Sequence, residues 1–286
     1  MNERLIQFRV FVLSLVVTSA GLTISCTENI FKSFSQENSD AALIFAAKAA
    51  LDKKDYSTAL TEIAKMTADG QIERETLVIK ASAHGGLCAV EFLPFLSSIA
   101  DQGSSTLMTT LMNTMTASTA AAQTNCTSGI DALRLISTTA ASRTGDENML
   151  MTVLSMGRIG SILNQNADDA DNNGTVDGDF NHCTTISAAN LNQIVVSFAE
   201  TIQSLAAVGS SSVAAADMTT LTQACTDLAA ADPDFDFCSN TNVAAVTAEQ
   251  RQGMQGVIGS NQSIGLGTCV GDVPTCAATV PCDGDP

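Results

Sequence analysis

Apolar residues recur at spacings of three and four along most of the chain from Ala41 onward, which is the period of a helix that buries one face. Alternation typical of strands is scarce, and only five proline residues interrupt the sequence. We therefore predict an all-α fold, an irregular array of roughly eight to ten helices. The clearest apolar stripes are Leu107, Met108, Leu111, Met112 and Met115; Met149, Val153, Met156, Gly160 and Leu163; Leu191, Ile194, Val195, Phe198, Ile202 and Leu205; and Met218, Leu221, Cys225 and Leu228.

The first helical stretch predicts a pair of helices. Apolar positions on both sides of the segment Asp52-Lys53-Lys54-Asp55-Tyr56 make this segment a turn between helices, and Ala59 is a small residue at which two helices can cross closely. These residues resemble one tetratricopeptide helix pair. A second copy about 34 residues further on is not evident, because the segment Cys88-Ala89-Val90-Glu91-Phe92 stands where the next turn is expected. A generic helical hairpin is the alternative interpretation.

The two ends of the chain lack this helical pattern. Residues 26–40 are polar and rich in Ser and Asn, which is typical of a tether. Residues 253–286 are rich in Gly, Cys and Asp, and we expect them to form a loop held by disulfides. The predicted organisation is a signal peptide at 1–25, a tether at 26–40, a helical domain at 41–252 and a C-terminal tail at 253–286.

The N-terminal residues have the order of charge and hydrophobicity found in secretory signals. Arg4 and Arg9 precede an apolar run over residues 10–17, and small residues follow it. A helix that spans a membrane needs roughly 20 apolar residues. The run is shorter than this, so we predict that the segment is a cleaved signal peptide.

The segment Leu22-Thr23-Ile24-Ser25-Cys26 resembles the lipobox of bacterial lipoproteins, although Thr23 stands where the family usually has an aliphatic residue. The resemblance implies that Cys26 is lipidated and becomes the mature N-terminus. It also implies an outer-membrane lipoprotein that faces the periplasm or the cell surface, because Thr27 replaces the Asp that commonly retains lipoproteins at the inner membrane. The alternative is ordinary cleavage nearby, with Cys26 left as a thiol.

The remaining cysteines form an even set of eight, which in an exported chain predicts four disulfides. Their pairing is open, although Cys225 with Cys238, and Cys269 with Cys276 or Cys282, are neighbours in sequence. No C-x-x-C spacing occurs, so zinc ribbons and thioredoxin-type redox sites lose their main signature. The predicted disulfide cysteines are Cys88, Cys126, Cys183, Cys225, Cys238, Cys269, Cys276 and Cys282.

The chain is strongly acidic, with 13 Lys and Arg residues against 30 Asp and Glu residues and a net charge of −17. Nucleic-acid binding requires clustered Lys and Arg, so nucleic acid is excluded as a partner. The charge is concentrated in residues 159–286, which hold 15 acidic residues and Arg251 as their one Lys or Arg. Such a region attracts cations.

A stretch of carboxylates and amides at residues 168–180 is similar to an EF-hand calcium loop. Asp, Asp and Asn side chains alternate before Gly174, which permits a sharp turn, and Ca²⁺ takes six to eight such oxygen ligands. Phe180 stands where the EF-hand family has a bidentate Glu, so Asp179 or Asp168 would complete the shell at a weak, structural site of roughly 10⁻⁴ to 10⁻³ M affinity. The alternative is a connection built from good turn formers. The predicted Ca²⁺ ligands are Asp169, Asp171, Asn173, Thr175, Asp177 and Asp179.

Motifs for catalysis are scarce. His84 and His182 are the two histidines, about 100 residues apart, and no G-x-S-x-G sequence accompanies them. In outline the chain resembles periplasmic lipoproteins with tetratricopeptide-like scaffolds, which implies a non-enzymatic binding or scaffold protein in the cell envelope. Its partners would be the membrane, through the lipid, and an envelope protein or small molecule. The alternative is a hydrolase-like envelope enzyme whose site lies near one of the histidines.

Overall fold

The computed structural model describes residues 38–88, 105–115, 118–169, 171–209, 215–261, 264–271, 273–279 and 282. The predicted signal peptide, Cys26 and the tether up to residue 37 lie outside these ranges. The described residues form eleven α-helices and no β-strand, which confirms the prediction of an all-α fold. The helices are α1 (Asp40–Asp52), α2 (Tyr56–Ala64), α3 (Ala68–Gln71), α4 (Arg74–Leu87), α5 (Leu107–Thr114), α6 (Ala120–Ile136), α7 (Gly145–Ala167), α8 (Ala188–Val208), α9 (Ala215–Ala231), α10 (Ala248–Gly259) and α11 (Val273–Thr279).

Side-chain caps fix where several of these helices begin. The hydroxyl of Thr144 accepts the amide N–H of Glu147, and the Glu147 carboxylate accepts the amide N–H of Thr144, so α7 begins with a capping box. Thr247 and Gln250 form the same arrangement at the start of α10. Each pair satisfies backbone donors that have no partner within the helix.

Helix α7 forms the centre of the molecule. Every residue from Met151 to Asn164 is buried, because α5, α6 and α8 all pack against this helix. Gly160 allows α5 to approach closely, since a side chain at this position would collide with the backbone carbonyl of Leu111. The apolar stripe of α5 predicted from the sequence is buried in the main core beside α7.

Helices α1 and α2 form a helical hairpin at the N-terminal side. Lys54 adopts a positive φ of 58° in the turn, and the Asp55 carboxylate caps α2 by accepting the amide N–H of Thr58. Ala59 is fully buried, as its predicted place at a helix crossing requires. The hairpin is therefore present, while its membership of the tetratricopeptide family stays a prediction.

Helix α10 extends past the boundary predicted at residues 252 and 253 and ends at Gly259. Its glycines pack without side chains of their own: a Cβ added at Gly253 would lie 2.8 Å from the Phe235 carbonyl oxygen, and one at Gly256 would lie 2.6 Å from the Ala277 Cβ. The hydrophobic pattern is weaker here because these glycines add close backbone contacts to those of the buried side chains of Met254, Val257 and Ile258. The boundary between the helical domain and the tail therefore falls inside a helix.

All eight cysteines predicted to form disulfides are paired, as Cys88–Cys126, Cys183–Cys282, Cys225–Cys238 and Cys269–Cys276. Two of the four bonds join sequence neighbours that the spacing had suggested. The bond from Cys282 reaches the turn before α8, so the C-terminal tail is disulfide-bonded as predicted. The expectation of a loop in this tail is wrong, because α11 is a helix and its residues Val273 and Ala277 are buried in the main core.

Across the described ranges, no helix combines the length and the apolar composition that crossing a membrane requires.

Candidate metal site between α7 and α8

Three carboxylates meet in the loop that joins α7 to α8. One oxygen from each of Asp168, Asp171 and Asp177 lies within 4.8 Å of the other two. Asp168 is fully buried, Asp177 is half-buried and Asp171 is exposed, so the cluster opens from the core toward solvent. Carboxylates this close repel one another when ionised, and a cation among them relieves the repulsion.

The buried carboxylate of Asp168 organises the loop around itself. Its Oδ1 accepts the amide N–H of Asn173 at 3.0 Å, and its Oδ2 accepts the amide N–H of Gly174 at 2.9 Å. Gly174 has a positive φ of 84°, as predicted for the residue of the sharp turn. A carboxylate oxygen that accepts one hydrogen bond still has a lone pair for a metal ion.

The Asn173 side chain ties the middle of the loop together. Its Oδ1 accepts hydrogen bonds from the amide N–H, at 2.8 Å, and from the hydroxyl of Thr175. Its Nδ2 donates to Asp171 Oδ2 at 2.7 Å. The amide oxygen predicted as a Ca²⁺ ligand therefore stabilises the loop backbone in this structure.

The structure brings together part of the predicted ligand set. Asp171 and Asp177 belong to the three-carboxylate cluster, together with Asp168, which the sequence offered only as a supplementary ligand. Asp169 and Asp179 are exposed and lie outside this cluster. The burial of Asp168 at the end of α7 was not visible in the D-x-D-x-N-G spacing, because neighbouring Asp residues look alike in sequence.

Phe180 explains why the loop has no acidic residue at its twelfth position. Its side chain is 9 % exposed and belongs to the main hydrophobic core, and Val176 packs against the same core. These two residues anchor the end of the loop by apolar contacts. A glutamate at position 180 would be buried among apolar side chains.

A second group of potential ligands consists of His182, Cys183 and Cys282, which also lie within 4.8 Å of one another. The two sulfurs are bonded to each other, so neither is a thiolate that could bind a metal ion. His182 Nδ1 lies 3.0 Å from the Thr268 hydroxyl, and burial lowers the pKa of the imidazole. This group is therefore part of the disulfide-bonded packing.

The two histidines lie in different surroundings. The Nδ1 atom of His84, on α4, lies 2.9 Å from the uncharged Asn125 Oδ1 on α6. Burial lowers the pKa of the His84 imidazole. His182 precedes α8 and packs against Gly259 of α10. Each imidazole has an uncharged hydrogen-bonding partner, whereas a general base is commonly oriented by a carboxylate.

The chain matches no protein-family model, and searches among curated proteins and among solved structures find no similar chain.

Proposed function

We propose that the chain is an exported lipoprotein of the cell envelope that acts as a non-enzymatic binding or scaffold protein. The observation that carries this proposal is the set of four disulfides within a helical fold. Disulfides form and persist in oxidising compartments and are rare in the cytosol, which favours export. In this proposal a lipid on Cys26 holds the protein at the outer membrane, facing the periplasm or the cell surface, while the helices bind an envelope protein or a small molecule.

The anchor is tested by comparing the wild-type chain with Cys26→Ser and with Ser25→Ala as a matched control. We expect wild type and Ser25→Ala to fractionate with membranes and to carry an acylated Cys26 in mass spectrometry, because both keep the lipidation residue. Cys26→Ser should carry no acyl group, because it lacks the thiol that the lipid modifies. An unmodified Cys26 thiol at the mature N-terminus, or a Cys26 disulfide, would contradict the anchor.

The scaffold role is separated from the enzyme alternative by complementation of a deletion strain. We expect His84→Gln and His182→Gln to restore the wild-type phenotype, because a scaffold needs no general base. Circular dichroism and thiol counting verify that each variant is folded and fully disulfide-bonded. If a folded histidine variant fails to complement the deletion, the enzyme alternative is supported instead.

We also propose that the loop between α7 and α8 holds Ca²⁺ in a structural role. The close approach of Asp168, Asp171 and Asp177 supports this, because hard cations take carboxylate oxygens as ligands. The hydrogen bonds from Asp168 to the loop backbone support it further, since they hold one carboxylate in place before the ion binds. A bound ion would fasten the loop between α7 and α8, the two longest of the described helices.

A further inference from the structure

Arg158 lies at the centre of α7 with its side chain completely buried. Its Nε donates to Ser197 Oγ at 2.6 Å, and its Nη1 donates to Gln193 Oε1 at 2.6 Å, both on α8. These partners are uncharged. A buried guanidinium normally contacts a carboxylate or another anion, because desolvating a charge is costly unless it is paired.

The third nitrogen of the Arg158 guanidinium differs from the other two in its hydrogen bonding. Among the described residues, Arg158 Nη2 has no hydrogen-bonding partner, and the same is true of the buried hydroxyls of Ser155 and Thr201. Buried polar atoms without partners are rare in folded proteins. Four such atoms lie on α7 and α8, which pack against each other. Asn164 Nδ2 lies almost two turns beyond Arg158, and the other three point to a missing common partner.

The three groups lie along the same part of the interface. Helices α7 and α8 are antiparallel, because Arg158 meets Ser197 whereas Arg143, just before α7, meets Glu200 and Ser204 further along α8. Ser155 is one turn before Arg158 on α7, and Thr201 is one turn after Ser197 on α8. Along the helix axes, both residues therefore lie on the same side of the contact between Arg158 and Ser197.

The surrounding charges are unbalanced. Glu200 accepts hydrogen bonds from Arg134 Nε at 3.2 Å and from Arg143 Nη2 at 3.1 Å, so its carboxylate is already shared by two arginines. Burial, with a smaller effect of the positive charge of Arg134, lowers the pKa of Arg158 to about 9, and the carboxylates of Asp131 and Glu200 act in the opposite direction. Asp131 is itself paired with Arg134. Arg158 thus remains charged at neutral pH while no carboxylate among the described residues forms an ion pair with it.

We propose that the interface of α7 and α8 contains a binding site for a small monovalent anion, with chloride as the representative ligand, held by Arg158 Nη2 and by the hydroxyls of Ser155 and Thr201. All three groups can donate hydrogen bonds, which an anion accepts. A single negative charge would match the unpaired guanidinium. A water molecule could accept only two of these three hydrogen bonds, and it would leave the positive charge uncompensated.

The experiment compares thermal unfolding of the oxidised mature chain in sodium chloride and in sodium gluconate at equal ionic strength. A ligand that binds the folded state raises the melting temperature, and equal ionic strength holds general screening constant. We expect a higher melting temperature in chloride for wild type and no difference for Arg158→Met. Arg74→Met is the matched control, because it removes one positive charge at a half-exposed site that pairs with Glu147, and it should keep the chloride effect.

A second variant covers the case in which Arg158→Met fails to fold. The double variant Ser155→Ala, Thr201→Val keeps the guanidinium and should bind chloride about tenfold more weakly in a chlorine-35 line-broadening titration. Identical wild-type melting temperatures in the two salts would overturn the proposal. Unchanged chloride affinity in the double variant would also overturn it.

Discussion

Neighbouring residues of the same type have different environments at the end of α7. Asp168 is buried and accepts hydrogen bonds from two backbone amides of the loop, whereas Asp169 is exposed. The spacing of Asp and Asn residues placed the first ligand at position 169. The position of the helix end, which decides which carboxylate faces the loop interior, could not be predicted to within one residue from apolar periodicity.

A calcium titration of charge-matched variants decides between these two ligand sets. We expect Ca²⁺ at about millimolar concentration to raise the melting temperature of wild type by a few degrees. The double variant Asp171→Asn, Asp177→Asn should lose this effect, because it removes two of the three clustered carboxylates. The exposed pair Asp169→Asn, Asp179→Asn removes the same charge from the same loop and should keep it.

Each outcome of this titration shows either which residues bind the ion or whether an ion binds to the loop at all. Loss of the calcium effect in the Asp169→Asn, Asp179→Asn variant would favour the ligand set predicted from the sequence. A wild-type melting temperature that does not respond to Ca²⁺ would remove the ion site and leave a turn-forming connection. Asp168→Asn is unsuitable as a first test, because Asp168 also accepts backbone hydrogen bonds that the folded loop uses without a metal ion.

At the scale of single helices, the apolar stripes predicted most of the buried faces. The stripes of α5 and α8 are buried in the main core as expected, except that Ile202 of α8 is partly buried and packs against this core. The apolar pattern is weaker where glycines allow a neighbour to approach closely, as in α10 against Phe235 and α11. Glycine contributes no apolar side chain to a hydrophobic pattern, so the close contacts made at glycine positions do not appear in that pattern.

Gly256→Ala tests this packing of α10. A Cβ at this position would lie 2.8 Å from both the Ala277 backbone nitrogen and the Val273 carbonyl oxygen, so α11 would have to shift. We expect the substitution to lower the free energy of unfolding by about 1 to 3 kcal/mol, even though alanine is the better helix former. Denaturant unfolding of the oxidised chain measures the change.

Gly145→Ala is the matched control for this prediction. Gly145 is the first residue of α7, and no atom lies within 4 Å of a Cβ added there. The same chemical change should therefore leave stability unchanged or raise it slightly. Equal stabilities of the Gly256→Ala and wild-type chains would show that α11 does not pack closely against α10.

The fold class of the whole molecule was predictable from the sequence, but the arrangement of its helices was not. Helical periodicity and an even number of cysteines were enough to predict an all-α, disulfide-bonded fold. The burial of α7 on every side was not predictable, because Arg158 and other polar residues interrupt its apolar pattern. The role of a buried polar residue depends on its hydrogen-bonding partners on other helices. For Arg158 these are Ser197 and Gln193, which lie far away in sequence.

The pairing of the cysteines was also only partly predictable from the sequence. Cys225–Cys238 and Cys269–Cys276 are separated by 13 and 7 residues and could be suggested from spacing. Cys183–Cys282 spans 99 residues and depends on how α8, α10 and α11 pack together. Closing a loop of this length costs conformational entropy, and the spacing of cysteines along the chain does not indicate which distant pair will form.

The order of the cysteines bears on how a chain secreted from its N-terminus would mature. Three of the bonds join cysteines that are consecutive along the chain, so an oxidase acting during translocation would form them correctly. Cys183 is the exception, because its partner Cys282 emerges last and four other thiols pass before it. Correct oxidation therefore requires that Cys183 stay reduced until Cys282 has been translocated, or that a disulfide isomerase rearrange an early mispairing.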